Sequence, residues 1–139
     1  MVYSIYSDLS PYRDTGTLLV YAGTATGKAL DVVDLILAEF RKLKESPLPD
    51  EELNRAKDQL KGNILMGLES SNARMANLAR QEMYFHEFMT VDEIIARINA
   101  VTSADVQAMA QRLFDPERIA VTLLGRLDGI KLRRARLVC

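Results

Sequence analysis

The sequence predicts an α+β fold, an antiparallel-rich sheet with helices layered on one face. Three observations carry this: two β-branched and aromatic runs at the start, a central block with apolar residues at helical spacing, and a late apolar run from Ile119 to Leu124. Val2 to Ser7 reads as a strand, and Thr17 to Ala22 as a second. Between them, Ser10 to Gly16 is longer than a tight two-residue hairpin needs, and antiparallel pairing is the simplest connection.

From Lys28 the period changes. Leu30, Val33, Leu37 and Phe40 fall on one helical face, until Ser46-Pro47-Leu48-Pro49 stops the helix. Asp50, Glu51 and Glu52 then place negative charge in the first turn of a second helix, where the dipole favours it. Its apolar stripe is Leu53, Ala56, Leu60 and Ile64, and it ends near Gly67. Ser70-Ser71-Asn72 marks a break before a third helix with Arg74, Met75, Leu78 and Tyr84. Thr90 with Glu93, and Thr102 with Asp105, have capping-box spacing and predict two short helices, with Ile94, Ile95 and Ile98, then Val106, Met109 and Leu113, as their apolar faces. Ile119 to Leu124 reads as a central strand because it is apolar on both faces.

The chain has 139 residues, 48% of them apolar, and a net charge of -1. That suits one domain and argues against a nucleic-acid surface. Lys131, Arg133, Arg134 and Arg136 near the end are expected as a solvated basic terminus. The one cysteine, Cys139, excludes an intrachain disulfide and leaves the compartment open. No apolar run approaches transmembrane length, so no membrane partner is expected. Val2 to Ser7 reads as the inside of an element with no leader before it, so a truncated start is expected.

The chemistry of a self-contained site is missing. Zinc peptidases need two imidazoles close together on a helix, and this chain has His86 alone. There is no Gly-x-Ser-x-Gly elbow, and Gly23-Thr-Ala-Thr-Gly27-Lys28-Ala29 misses the phosphate-loop spacing by one residue. No catalytic residue and no metal ligand is assigned. What remains is the third helix, where Arg80 and Tyr84 share a face at one turn, and Arg74 and Gln81 another at two turns. Such groups can donate to a peptide carbonyl. On their chemistry alone a solvated helix face is the simpler account.

Five stretches change that weighting: Tyr3-Ser-Ile-Tyr-Ser, Asp14-Thr-Gly-Thr-Leu-Leu-Val-Tyr-Ala-Gly23, Glu51-Glu-Leu-Asn-Arg-Ala-Lys57, Glu69-Ser-Ser-Asn-Ala-Arg-Met75 and Leu78-Ala-Arg-Gln81. Together they resemble the non-catalytic C-terminal half of the insulinase/pitrilysin zinc peptidases, the group that includes mitochondrial processing peptidase. The resemblance runs from Val2 to Gly125. It divides the chain into a partial half-domain, 1–125, and a basic tail, 126–139, and implies that the opening strands and first helix of the half lie outside this chain.

In that family two similar halves close like a clamshell around a peptide, and the first half carries His-x-x-Glu-His. The resemblance therefore implies a substrate-peptide-binding half, inactive alone, with no cofactor of its own. Zinc is expected in the other half, in the same chain or another. It also implies that Arg74 and Tyr84, with Arg80 as a further candidate, reach the bound peptide. Gln81 stands where some members have the Tyr. The alternative is a catalytically inactive structural subunit, since the same fold builds core proteins of respiratory complexes. An uncovered sheet edge at the truncated start predicts a homo-oligomer.

Overall fold

A computed structural model describes residues 2–139. Two strands open the chain, β1 (Val2–Pro11) and β2 (Gly16–Thr24), paired antiparallel into one two-stranded sheet. The ladder reaches Pro11 opposite Gly16, further than the sequence suggested, and leaves a four-residue loop closed by the Thr15 carbonyl accepting from Tyr12 N–H at 2.8 Å. At the other end the register shifts between Val2 and Ser4, so Tyr3 is unpaired there and is 82% exposed. Tyr6 stacks on its cross-strand partner Tyr21 with ring centroids 5.0 Å apart.

Five helices follow: α1 (Ala29–Glu45), α2 (Asp50–Gly67), α3 (Ser71–Phe85), α4 (Val91–Ala100) and α5 (Ser103–Leu113). Both capping boxes form. Thr90 Oγ1 accepts from Glu93 N–H while the Glu93 carboxylate accepts from Thr90 N–H at 2.7 Å. Asp105 takes the same part toward Thr102, accepting its N–H at 2.8 Å. These bonds hold both carboxyls below their ordinary range. For Glu93 the backbone bond from Thr90 is the largest cause, and for Asp105 the side-chain bond from Thr102. The Ser70 side chain, by contrast, makes no capping bond at the start of α3.

The chain divides into two units, Met1–Ser46 with Ala108–Cys139, and Pro47–Gln107. In the first, Val33 and Leu37 of α1 form the core with Leu137, the latter two only 5% and 6% exposed. Phe40, Ile119, Val121, Leu123, Leu132 and Cys139 pack against them, and Phe40 stacks flat on Phe114 at 4.0 Å. In the second unit Leu53 and Gln81 are the buried residues, and α2 is tied to the end of α4 by Lys57 Nζ, which donates to the Asn99 carbonyl at 2.9 Å. The stripe predicted for α2 is covered only in part, since Leu60 stays exposed.

Two expectations need correction. The run from Ile119 to Leu124 is not a strand, central or otherwise: it pairs with nothing in the sheet. Alternate residues Ile119, Val121 and Leu123 turn inward against α1, whereas Leu124 is 100% exposed. The apolar run supplies the β-propensity, but a ladder needs a neighbouring strand, and the hairpin does not provide one here. The basic terminus is not simply solvated. Arg136 grips Asp34 through two parallel bonds of 2.7 and 2.5 Å, and Arg134 donates to the carbonyls of Pro116, Glu117 and Ile119. Arg136 lowers the Asp34 pKa chiefly through that side-chain bond, and its own is raised by the same contact.

Candidate functional site

α3 is the helix on which the sequence placed its candidates, and the structure gives each a different standing. Ser70, extended at the helix start, leads into a helix that ends where His86 adopts a left-handed conformation, φ 52°. Ala73, Asn77 and Gln81 form the more buried stripe. Gln81 is 6% exposed, and its Oε1 accepts from Met89 N–H at 2.7 Å, so this amide fixes the turn from α3 into α4. It is a structural residue, and the sequence offered a signal for it in the small and amide side chains at the 73, 77, 81 spacing.

Arg74 is exposed, and its Nε donates to the Leu68 carbonyl at 2.8 Å, bracing the end of α2. Its Nη groups and the whole Arg80 guanidinium have no partner among the described residues. Tyr84 is 60% exposed, and its ring meets only Phe85, tilted at 6.5 Å. The structure does not bring the three candidates together at a point. Helical geometry puts Tyr84 roughly 15 Å along the axis from Arg74 and about 80° around it. Arg80 and Tyr84 do lie one turn apart on one side. Among the exposed apolar groups, Leu78 lies one turn from Arg74 and Phe85 follows Tyr84, while Met75 falls on the side opposite Tyr84.

His86 is the one imidazole, exposed at a helix end, with the Glu82 carboxylate 3.7 Å away, and no group of three or more His, Cys, Asp or Glu among the described residues is placed to hold a metal ion. No helix of the described residues is long and apolar enough to cross a membrane.

Residues 1–60 match the family model of the Peptidase M16 inactive domain. An uncharacterized zinc protease of Bacillus subtilis is 34% identical over 125 residues, which is 90% of this chain and 30% of that protein. A probable mitochondrial-processing peptidase subunit beta of Schizosaccharomyces pombe is 30% identical over 128 residues, 91% of this chain and 28% of the other. The chain belongs to the insulinase-like M16 peptidase family. Its match is to the inactive C-terminal half, and it spans about 30% of the length of the curated relatives it resembles. The fold agrees: a chain of complex III2 from Candida albicans, bound to Inz-5, superimposes with a TM-score of 0.74 over 80% of this chain and 27% of that one, at 24% identity.

Proposed function

We propose that this M16 chain is the substrate-peptide-binding, non-zinc half of a zinc-dependent endopeptidase, inactive without the His-x-x-Glu-His half. The observation that carries it is the set of uncommitted donors on α3: Arg80, Tyr84 and the Nη groups of Arg74 are left without internal partners, with exposed Leu78 one turn from Arg74 and exposed Phe85 next to Tyr84. Cationic and phenolic donors next to apolar surface suit a peptide, whose carbonyls accept and whose side chains are often apolar. In this reading Arg74 and Arg80 donate to peptide carbonyls or to charge developing on them, and Tyr84 supplies a hydroxyl and a ring face. The zinc lies in the partner half, in the same chain or another.

The exposed hairpin edges, with Ile5, Leu9 and Leu18 uncovered, make self-association of the isolated chain part of the same reading. The test uses the complete two-half protein. Arg80→Ala and Tyr84→Phe each lower kcat/KM for peptide cleavage roughly tenfold while zinc content stays stoichiometric. Arg74→Ala does the same, but Arg80 and Tyr84 are the cleaner probes because Arg74 also braces Leu68. Unchanged kinetics in all three variants would return the face to plain solvation.

The likeness to a complex III chain favours a second reading, a structural subunit of the same fold. An intact His-x-x-Glu-His in the partner half supports the peptidase, and a degraded one supports the scaffold.

A further inference from the structure

Residues 126–139 contain no strand and no helix beyond the one turn of 3-10 helix at Arg134–Arg136, yet they supply part of the core of the first unit. Leu137 is buried against Val33 and Leu37, with Leu132 and Cys139 beside it. Polar contacts ring this small apolar footprint. Asp34 accepts the Arg136 fork, Arg41 Nη2 donates to the Val138 carbonyl at 2.9 Å, and Lys44 Nζ donates to the carbonyls of Cys139 and of Phe114. Arg134 closes the near end on the carbonyls of Pro116 and Glu117. Five of these seven bonds are exposed and open to screening, the two from Lys44 being part-buried, so the segment can lift while α1 stays helical.

What would be uncovered is the part of the Val33 and Leu37 surface that Leu137 covers, with the neighbouring edge of residues 119–123, while Phe40 stays stacked on Phe114. Lifting also releases Asp34 from Arg136 near one end of this stripe and Arg41 from the Val138 carbonyl near the other, while Lys44 keeps its bond to the Phe114 carbonyl. Asp34 and Arg41 lie two turns apart on one side of α1, about 10 Å along the axis. Packed antiparallel about a two-fold axis, two copies of α1 place each Asp34 opposite the other's Arg41 while burying both stripes.

We propose that residues 126–139 are a reversible strap over the apolar face of α1, an autoinhibitory contact whose occupant after release is the same face of a second copy of this chain. Trypsin reads the strap through Lys131 and Arg133. In the full chain, Arg134→Gln with Arg136→Gln raises cleavage there roughly tenfold and adds one association step in sedimentation velocity over the wild-type baseline, whatever the hairpin edges contribute to that baseline. Adding Arg41→Glu to that double variant sets a carboxylate against Asp34 of the second copy and reverses the added step while cleavage stays fast.

Should the double variant fail to fold, the wild-type chain gives the answer in a salt series. Raising ionic strength from about 0.05 to about 0.5 M accelerates cleavage in the strap while circular dichroism is unchanged. Salt-independent cleavage, or fast cleavage with no change of mass in the double variant, overturns the proposal. So does an added association step that Arg41→Glu leaves intact.

Discussion

α1 and α3 are similar in length, 17 and 15 residues, and use their side chains in opposite ways. α1 turns Val32, Val33 and Leu37 inward and sends its charges to the rim, so burial holds it. The single buried side chain of α3 is an amide, while Met75, Leu78, Met83 and Phe85 face outward. Hydrophobic burial explains why the first helix is where it is. It does not explain the second, whose position rests on hydrogen bonds at its two ends, Arg74 to Leu68 and Gln81 to Met89. A helix held by its ends with its apolar groups exposed is suited to be covered by something else.

The sharpest way to break this contrast is truncation on each helix. Leu37→Ala is expected to cost about 2–5 kcal/mol in urea unfolding followed by circular dichroism. Leu78→Ala is expected to stay within about 0.5 kcal/mol. Similar losses at both sites would mean that α3 has a core of its own. Next in size is Gln81→Leu, which strands the Met89 N–H and should cost about 1–3 kcal/mol, while Gln81→Glu, which keeps an acceptor, loses less. An undiminished Gln81→Leu variant would make the α3 ends incidental.

Acid comes third. Asp34, Glu93 and Asp105 are held below their ordinary values of 3.8, 4.5 and 3.8, so folding favours their ionised forms. Their contribution is complete above those ordinary values and is lost as pH falls through the lower folded ones, so Tm should drop on acidification from about pH 5 downward. Thr90→Ala should cost about 1 kcal/mol at neutral pH and flatten the Glu93 share of that drop; a parallel acid profile in this variant would deny the box its part. The smallest effect belongs to the candidate site. Arg80→Ala and Tyr84→Ala should leave urea stability within about 0.5 kcal/mol, and a larger loss would make these residues structural.

Much of this was legible because it is local. Apolar period 3.6, acid at Asp50 to Glu52 and the Thr90 and Thr102 boxes each act within a turn or two, and the five helices stand where those signals put them. The four-residue hairpin loop extends the strands beyond Ala22 and Ser7 for an equally local reason, the Thr15 carbonyl accepting from Tyr12 N–H. What the sequence hid depends on distant partners. Ile119 to Leu124 has strand composition, but whether it ladders depends on what lies beside it. The grip of Arg136 on Asp34 joins residues 102 apart, and no spacing rule reaches that far. Of the candidates on α3, exposure of Arg74, Arg80 and Tyr84 follows from their chemistry, whereas the bond from Arg74 to Leu68 depends on how α2 ends.

The discontinuous first unit has a consequence for synthesis. Pro47–Gln107 is contiguous and can fold as soon as it leaves the ribosome, but the face of α1 waits for Leu137, 100 residues after Leu37. At about 5–20 residues per second that wait is roughly 5–20 s, long compared with helix formation in microseconds. For those seconds a formed amphipathic helix trails a nascent chain with its apolar side bare. The order of synthesis thus leaves the apolar side of α1 uncovered for longer than α2, α3 and α4 of the contiguous second unit.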